Sequence, residues 1–314
     1  MTIQYDILDQ APRLLMEVDL KPLQGDRFQP TGFPDLGPAR YTPPNSPEKL
    51  LVESPQSVAN RLELTCWDAA TQDLIPGLQG LPYIKVLSED GEHATNSILE
   101  AHRINSEYIL GKKSDGKFRD LFTKEIDYKK DGRVNWARFY TALFKYDPNS
   151  LIHGCFLEEI GGRLRVPRAL SGFIEASNIS VAESGGVKNN IVEPELKGGE
   201  GNVPYHRTEF TAEKITAYFN LDLSLLRSFG LPEEAYQLLI VLSLFKIRRF
   251  LNTGLRLRTA CDLEPIGDLR VTRPAGFLVP DETSLLEECK KLIQACKDKS
   301  LFADPPVTTV TWKK

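Results

Sequence analysis

The stretches KITAYFNLDLSLL (214–226) and LPEEAYQLLIVLSLFKIRRFLN (231–252) decide the fold of this chain. In the first stretch apolar residues occupy every second position from 215 to 223, which predicts a strand with one buried face. In the second stretch Pro232 near the start and a wide apolar face predict a long, packed helix. Strands and helices should therefore share one core.

Further elements are predicted outward from this centre. Strands are expected at 14–20, 49–54, 151–158, 163–167 and 254–263, and helices at 97–110, 134–145 and 280–297. Residues 168–180 should begin as a short helix and then become extended. Residues 181–210 enclose a polar, Gly-rich tip between two flanks of modest β character, which is typical of a protruding arm.

Candidate phosphate-binding groups lie around residue 54. Ser54 is predicted as the N-cap of a helix and Pro55 as its first residue. Ser57 and Arg61 are four residues apart and share one face near that helix start, where free backbone N–H groups favour an anion. The pattern also fits an ordinary amphipathic surface helix, so the residues alone leave both readings open.

Two predicted strands carry a basic face. Arg163 and Arg165 alternate with apolar residues in RLRVP, as do Arg256 and Arg258 in GLRLR. The segment 246–273 contains seven Lys or Arg against three acidic residues, and 112–138 contains nine against five. Such local surpluses can attract a polyanion although the net charge of the chain is −4. Most charge clusters of this kind are solvated surface faces, so the charge counts alone favour that explanation.

The segment that follows the first strand, PLQGDRFQPTGFPDLGPARYTPPNSP (22–47), has neither a helical nor a strand period. A loop of this length in a compact protein is usually functional or disordered. Because it contains Asp26, Arg27, Phe28 and Phe33, we predict a functional loop.

Composition and motifs argue against several classes of protein. The 314 residues contain no signal-peptide pattern and no apolar run that would span a membrane, so we expect a cytoplasmic protein. Five scattered cysteines without a CxxC pair predict free thiols, and no metal or cofactor site is expected. No nucleophile, phosphate-loop or metalloprotease motif is present, so no catalytic residue is predicted. Asp147, His153 and His206 are isolated polar residues for which a structural role is expected, and Asp26 alone is kept as a catalytic possibility.

Several runs resemble a known family. They are QGDRFQPTGFPDLG (24–37), LLVESPQSVANRLE (50–63), SILEAHRIN (97–105), FKYDPNSLIHGCFLE (144–158), RVPRALSGFIEA (165–176), SGGVKNN (184–190), GNVPYHRTEF (201–210), ITAYFNLDL (215–223) and GLRLRTACDLEP (254–265). Together they resemble the type I-G (formerly I-U) CRISPR backbone protein, a branch of the seventh CRISPR-associated family of RAMP proteins. The resemblance spans roughly residues 12–280.

The more distant type I-E backbone proteins carry a similar loop and helix start. Gly25, Asp26 and Arg27, with Gly32 and Pro34, resemble their loop. The run Ser54-Pro55-Gln56-Ser57 with Arg61 resembles their helix start. Here Pro55 replaces a serine and Asn60 stands where a basic residue is usual, so phosphate contact would depend more on Arg61.

The resemblance implies a hand-shaped α+β fold. Residues 1–63 and 141–314 would form an RNA-recognition-motif (ferredoxin-like) palm, 64–140 an inserted set of helical fingers, and about 181–210 a β-hairpin thumb that reaches a neighbouring subunit. The RNA-binding residues expected from the sequence and the resemblance together are Gln24, Arg27, Ser54, Gln56, Ser57, Arg61, Arg163, Arg165, Arg168, Lys188, His206, Arg207, Arg256 and Arg258.

The function implied is a non-catalytic, crRNA-binding backbone subunit of a type I-G Cascade complex. Its copies would form a head-to-tail filament along guide RNA and present it for pairing with target DNA. The other implied partners are the guide-processing or capping subunit and the large subunit. Two alternatives are a target-RNA-cleaving backbone ribonuclease of type III character that uses Asp26, and an RNA-binding protein outside any CRISPR system.

Overall fold

The computed structural model describes residues 3–33, 35–189, 202–253 and 255–313. The helices are α1 (Tyr5–Asp9), α2 (Pro55–Leu64), the 3-10 helix η1 (Arg103–Asn105), α3 (Lys117–Glu125), α4 (Trp136–Tyr146), α5 (Pro148–His153), α6 (Leu223–Ser228), α7 (Glu233–Asn252) and α8 (Glu282–Asp298). The strands are β1 (Arg13–Pro22), β2 (Gly32–Phe33), β3 (Gly37–Pro38), β4 (Arg40–Tyr41), β5 (Lys49–Glu53), β6 (Trp67–Asp68), β7 (Asp73–Leu74), β8 (Tyr83–Leu87), β9 (His93–Asn96), β10 (Cys155–Leu157), β11 (Leu164–Val166), β12 (Leu170–Asn189), β13 (Asn202–Asp222), β14 (Leu255–Arg258), β15 (Cys261–Arg273) and β16 (Val307–Thr311).

The main sheet has seven strands in the order β14-β15-β1-β13-β12-β5-β4. Its neighbouring strands are antiparallel throughout. In chain order β1 is followed by α2, then by the β12–β13 hairpin, then by α7 and β15. This mixture of a large antiparallel sheet and packed helices confirms the α+β class.

The predicted period-two strands are confirmed at the centre of the sheet. Met16 lies opposite Phe219 and Val18 opposite Ala217, and all four side chains are buried. The rings of Phe219 and Phe250 meet edge to face with centroids 6.5 Å apart, so α7 packs on this face of the sheet. The long helix predicted at 231–252 is likewise confirmed as α7.

The predicted arm is the outer part of the β12–β13 hairpin. Beyond Ser177 and Lys214 the two strands continue paired with each other up to Asn189 opposite Asn202. The described part of the arm therefore confirms a β-hairpin. The predicted tip, 190–201, lies outside the described residues.

The inserted segment forms small separate sheets. β6 pairs with β7, and β8 pairs with β9 on one side and, in parallel, with β16 on the other. The C-terminal strand β16, which we placed with the palm, therefore lies in a sheet of the inserted segment. The division into palm and fingers stays a prediction.

Some local predictions were wrong. The helix expected at 97–110 is reduced to η1, because Arg103 adopts a φ of +54° and turns the chain. The short helix expected from 168 is absent from that segment, since β12 starts at Leu170 and pairs with β13 from its first residue.

Three other predicted strands differ in part. Residues 151–153 belong to α5, and the segment 254–263 is two strands joined at Ala260, whose φ is +60°. The strand expected over 214–226 ends at Asp222, whose carboxylate accepts from Leu225 N at 3.0 Å and caps α6.

Candidate nucleic-acid interface

The loop after β1 is anchored across the sheet. Phe28 and Phe210 exchange two backbone hydrogen bonds of 2.9 Å, and Gln29 N donates to Ala260 O at 2.7 Å. The Phe28 side chain is buried in the core. These bonds hold the loop between the root of the arm and the β14–β15 turn.

A buried carboxylate lies between two arginines at the root of the arm. Glu209 is only 7% exposed. Arg27 Nη1 lies 3.4 Å from one of its carboxylate oxygens and Arg207 Nη1 lies 3.6 Å from the other. Arg27, Arg207 and Glu209 together form the Glu209 cluster.

A second cluster, again built from one buried carboxylate and two arginines, joins β5, α2 and β14. Glu53 is completely buried at the end of β5 and forms ion pairs with Arg61, at 3.0 Å, and with Arg258. Ser57 Oγ donates to the same carboxylate. In this Glu53 cluster (Glu53, Ser57, Arg61 and Arg258) two guanidinium groups meet one carboxylate, which leaves one positive charge in excess.

The sequence places these groups together by two routes. Ser54 caps α2 by accepting from Ser57 N at 3.3 Å, as predicted, and this fixes the first turn next to Glu53. The alternation in β14 buries Leu255 and Leu257 and keeps Arg258 on the opposite face. Arg258 also donates to the carbonyl of Gln29 at 3.0 Å, which ties the Glu53 cluster to the anchored loop.

Between the clusters lies a cavity of about 600 Å³, which we call the arm-root cavity. Each cluster contributes one arginine to its wall, Arg258 from one and Arg207 from the other. The hydroxyls of Thr31 and Thr208 and the exposed His206 complete its polar lining. Guanidinium groups and hydroxyls are groups that bind phosphate.

Several predicted RNA-binding residues lie outside this cavity. Gln24 is exposed in the loop, and Arg256 is 80% exposed with a distant ion pair of 3.9 Å to Asp262. Arg165 is exposed and lies over the ring of Phe156 at 4.6 Å. Lys188 belongs to β12, but its side chain lies outside what the structure describes.

Other predicted residues make internal contacts. Arg163 donates to the carbonyls of Lys129, Lys130 and Gly132, and so holds the connection before α4. Arg168 donates to Gln56 Oε1 at 2.6 Å and to backbone carbonyls. Whether any of the fourteen predicted residues binds RNA stays a prediction.

Glu53 and Glu209 are the residues that sequence reasoning missed. Glu53 had a weak signal, because it is the one charged residue at the buried end of the strand KLLVE, four residues before Ser57. Glu209 had no comparable signal in the sequence, because its partner Arg27 is distant in the chain and only the fold brings the two together. A carboxylate that organises arginines cannot be recognised until the fold brings them together.

A third ionic cluster is closed to solvent. Lys246 Nζ, fully buried on α7, donates to Asn149 Oδ1 at 2.5 Å and contacts His153 Nε2 at 2.8 Å. Glu63 and Arg103 form a buried pair with two bonds of 2.7 Å. Asp147 is also completely buried and accepts from Ser150 at 2.8 Å. These residues form the buried cluster.

Burial dominates the titration of this cluster. Desolvation raises the pKa of Asp147 to about 7 and raises the pKa of Glu63 in spite of Arg103. Desolvation and the charge of Lys246 lower the pKa of His153, so its imidazole is neutral. Because Asp147 and His153 are inaccessible, the structural role predicted for them fits their surroundings.

Across the described ranges no three His, Cys, Asp or Glu side chains are grouped to hold a metal ion. Asp26 is exposed in the loop. No helix in the part of the chain that the structure describes is both long and apolar enough to cross a bilayer.

The fold and site define an α+β protein with an antiparallel sheet, an extended hairpin and a cationic cavity at the root of that hairpin. The family described as CRISPR-associated protein GSU0053 matches residues 14–181, just over half of the chain. The chain therefore belongs to this family of CRISPR-associated proteins. Among curated proteins no sequence matches it.

Three solved structures are similar to this chain. "CRISPR RNA-guided surveillance complex, pre-nicking" aligns with a TM-score of 0.41 at 14% identity, over 80% of this chain and 76% of that one. Csc2 of Thermofilum pendens aligns with a TM-score of 0.33 at 10% identity, over 95% and 80%. A second "CRISPR RNA-guided surveillance complex" chain aligns with a TM-score of 0.28 at 15% identity, over 91% and 88%.

Proposed function

We propose that this protein is a crRNA-binding backbone subunit of a type I-G CRISPR surveillance complex. Membership in a CRISPR-associated family gives the context. The observation that carries the proposal is the arm-root cavity, to whose wall two arginine–carboxylate clusters each contribute an arginine, Arg207 and Arg258. This arrangement suits the phosphates of single-stranded RNA.

Binding at the arm-root cavity would be independent of sequence. Guanidinium groups and hydroxyls contact phosphates, which are identical at every nucleotide. Glu53 and Glu209 hold the arginines in place at low entropic cost. A subunit with this chemistry accepts any guide and leaves the choice of target DNA to base pairing.

The β12–β13 arm supports the proposed polymerisation. The order β1, α2, β12, β13, α7, β15 is a βαββαβ arrangement, which supports an RNA-recognition-motif palm. The arm extends from that sheet by eleven paired positions, Ile179–Asn189, beyond the last residue that pairs with β5. We propose that it acts as the thumb that contacts the next subunit in a head-to-tail filament, next to the capping and large subunits.

The subunit itself is proposed to be non-catalytic and to need no cofactor. The alternative, cleavage of target RNA with Asp26, makes a distinct prediction. Mg²⁺-dependent cutting of an RNA paired to the guide, lost in Asp26→Asn, would establish it. Intact target RNA after prolonged incubation with Mg²⁺ would support the non-catalytic role.

The deciding experiment measures the mass and nucleic-acid content of the purified chain before and after ribonuclease treatment. Large, RNA-containing assemblies that collapse to protomers on digestion are expected. If the chain is free of nucleic acid, guide RNA should be added, first alone and then with the complex's other subunits. A chain that remains monomeric and unbound in every case would refute the backbone function.

A further inference from the structure

A second polar cavity, of about 510 Å³, borders a different face of α2 from the one that carries Ser57 and Arg61 of the Glu53 cluster. Gln56 and Asn60 line it from the helix, Asn105 from η1, and Phe156 from β10. The proposed grip on phosphates does not use this cavity, and we call it the amide cavity.

The charges of the amide cavity do not suit a phosphate. Its one lining arginine, Arg103, is neutralised by the two 2.7 Å bonds to the buried Glu63. The exposed carboxylate of Glu158 lines the same cavity and would repel an anion. A neutral ligand that donates hydrogen bonds fits this lining better.

A relay of hydrogen bonds fixes which amide atoms donate. Arg168, which can only donate, binds Gln56 Oε1 at 2.6 Å. Gln56 Nε2 must then be the donor to Asn60 Oδ1, at 3.2 Å. Asn60 therefore presents its Nδ2 as a donor. Among the described residues Asn105 Oδ1 is a buried acceptor without a donor.

An aromatic platform completes the cavity. Phe156 is 36% exposed, although it lies on a strand whose neighbouring residues are buried. Arg165 covers part of the ring at 4.6 Å. An exposed ring backed by a guanidinium is the surface on which single-stranded bases stack.

We propose that the amide cavity binds one nucleobase of the bound RNA and prefers a base that carries an amino group. The base would stack on Phe156, accept from Asn60 Nδ2 at the ring nitrogen beside its amino group, which in uracil carries a proton, and donate a hydrogen bond from that amino group to Glu158. This inference rests on the proposed function, because the phosphates must first be held beside α2. It goes beyond that function, since it gives the subunit a base preference that a pure backbone grip lacks.

The test compares oligocytidine and oligouridine of about ten nucleotides. The two pyrimidines have similar shape, but only cytosine carries an exocyclic amino group. Binding of the full-length protein to each oligomer is measured by fluorescence anisotropy at one salt concentration. We expect the protein to bind oligocytidine about 5-fold or more tightly than oligouridine, which corresponds to about 1 kcal/mol.

Variants test which residues cause the preference for oligocytidine. Phe156→Ala should weaken binding of both oligomers by about 5-fold or more, because the stacking surface is lost. Glu158→Gln and Asn60→Leu should bring the two affinities together while binding to oligouridine is retained. The control Leu278→Ala removes another exposed apolar side chain, 65% exposed, and should change neither affinity. Thermal melts establish that each variant is folded.

The outcomes separate this inference from the proposed function. Tight and equal binding of both oligomers, unaffected by Phe156→Ala, would overturn the base pocket and leave the backbone role standing. Failure of the wild-type protein and its assembled complex to bind either oligomer would overturn both. A cytidine preference that survives in Asn60→Leu and Glu158→Gln would place the selectivity elsewhere and also overturn the pocket.

Discussion

The Glu53 cluster and the buried cluster each contain a buried glutamate paired with arginine, only one helix apart, in opposite surroundings. Glu53 pairs with Arg61 and Arg258, whose side chains are 29% and 23% exposed and reach the surface. Glu63 faces Arg103, and both are almost completely buried. One cluster has surplus charge beside a cavity, whereas the other is sealed under α7.

This difference decides what each cluster can do. Buried charges must be matched by partners, because desolvation is not compensated by any ligand. In the buried cluster Arg103 is matched by Glu63, and Lys246 Nζ is held by Asn149 and His153, so the cluster joins α2, η1, α5 and α7. In the Glu53 cluster the excess guanidinium remains for an external anion. Burial and charge balance therefore distinguish the arginines that serve the core from those proposed to bind RNA.

The largest expected effect is on the buried pair. Arg103→Met leaves Glu63 as an uncompensated buried carboxylate, and we expect the free energy of unfolding to fall by about 3 to 5 kcal/mol. Urea denaturation at neutral pH measures it. The double variant Arg103→Met/Glu63→Leu should recover most of the loss. A single variant as stable as the wild type would contradict the assignment of this pair to the core.

A smaller effect tests the pKa of Asp147. Because the folded-state pKa is raised to about 7, the folded protein keeps a proton that the unfolded chain has released. Protonation therefore stabilises the fold fully at pH values below the ordinary Asp pKa, and this stabilisation disappears as the pH rises to about 7.

Asp147→Asn, which stays neutral, should gain stability relative to the wild type between about pH 5 and pH 7, by roughly 2 to 3 kcal/mol. The comparison between the two proteins removes the contribution of His153, which is common to both. Denaturation curves of both proteins at several pH values measure this difference in stability. A constant difference across that range would show that Asp147 is ionised in the folded protein.

Arg258 should affect both stability and binding. In Arg258→Gln the buried Glu53 keeps only one guanidinium, so a loss of about 1 to 2 kcal/mol in unfolding free energy is expected. The same change should lower RNA affinity and reduce the slope of log affinity against log salt by about 0.7, because one phosphate contact is lost. An unchanged salt slope in a folded variant would remove Arg258 from the interface.

The smallest expected effect is that of the exposed Arg27 on RNA affinity. Arg27→Gln removes one cation from the Glu209 cluster, and we expect RNA affinity to fall about 3- to 10-fold with stability changed by less than about 0.5 kcal/mol. Arg13→Gln is the matched control, since Arg13 is a comparably exposed arginine, paired with Asp222 at 2.9 Å near the other end of β1. Equal losses of affinity in both variants would indicate only a diffuse charge effect.

Much of the fold could be predicted from local sequence patterns. The alternation in 214–222 specified β13, the apolar face of 231–252 specified α7, and Ser54-Pro55 specified the start of α2. The failures occurred where distant partners override local preference. Arg103 turns the predicted helix at 97–110 into η1 and pairs with Glu63, forty residues earlier.

The sequence by itself also determined which residues could serve a polyanion, and a specific resemblance to CRISPR backbone proteins. Periodicity and capping are local, because they depend on residues within one or two turns or strand positions. Only the tertiary structure decided which arginines are neutralised and which have surplus charge. Arg27 meets Glu209, and Arg258 meets Glu53, across about two hundred residues of chain. The electrostatic environment of a side chain is set by its neighbours in space and by burial, and neither can be read from its neighbours in sequence.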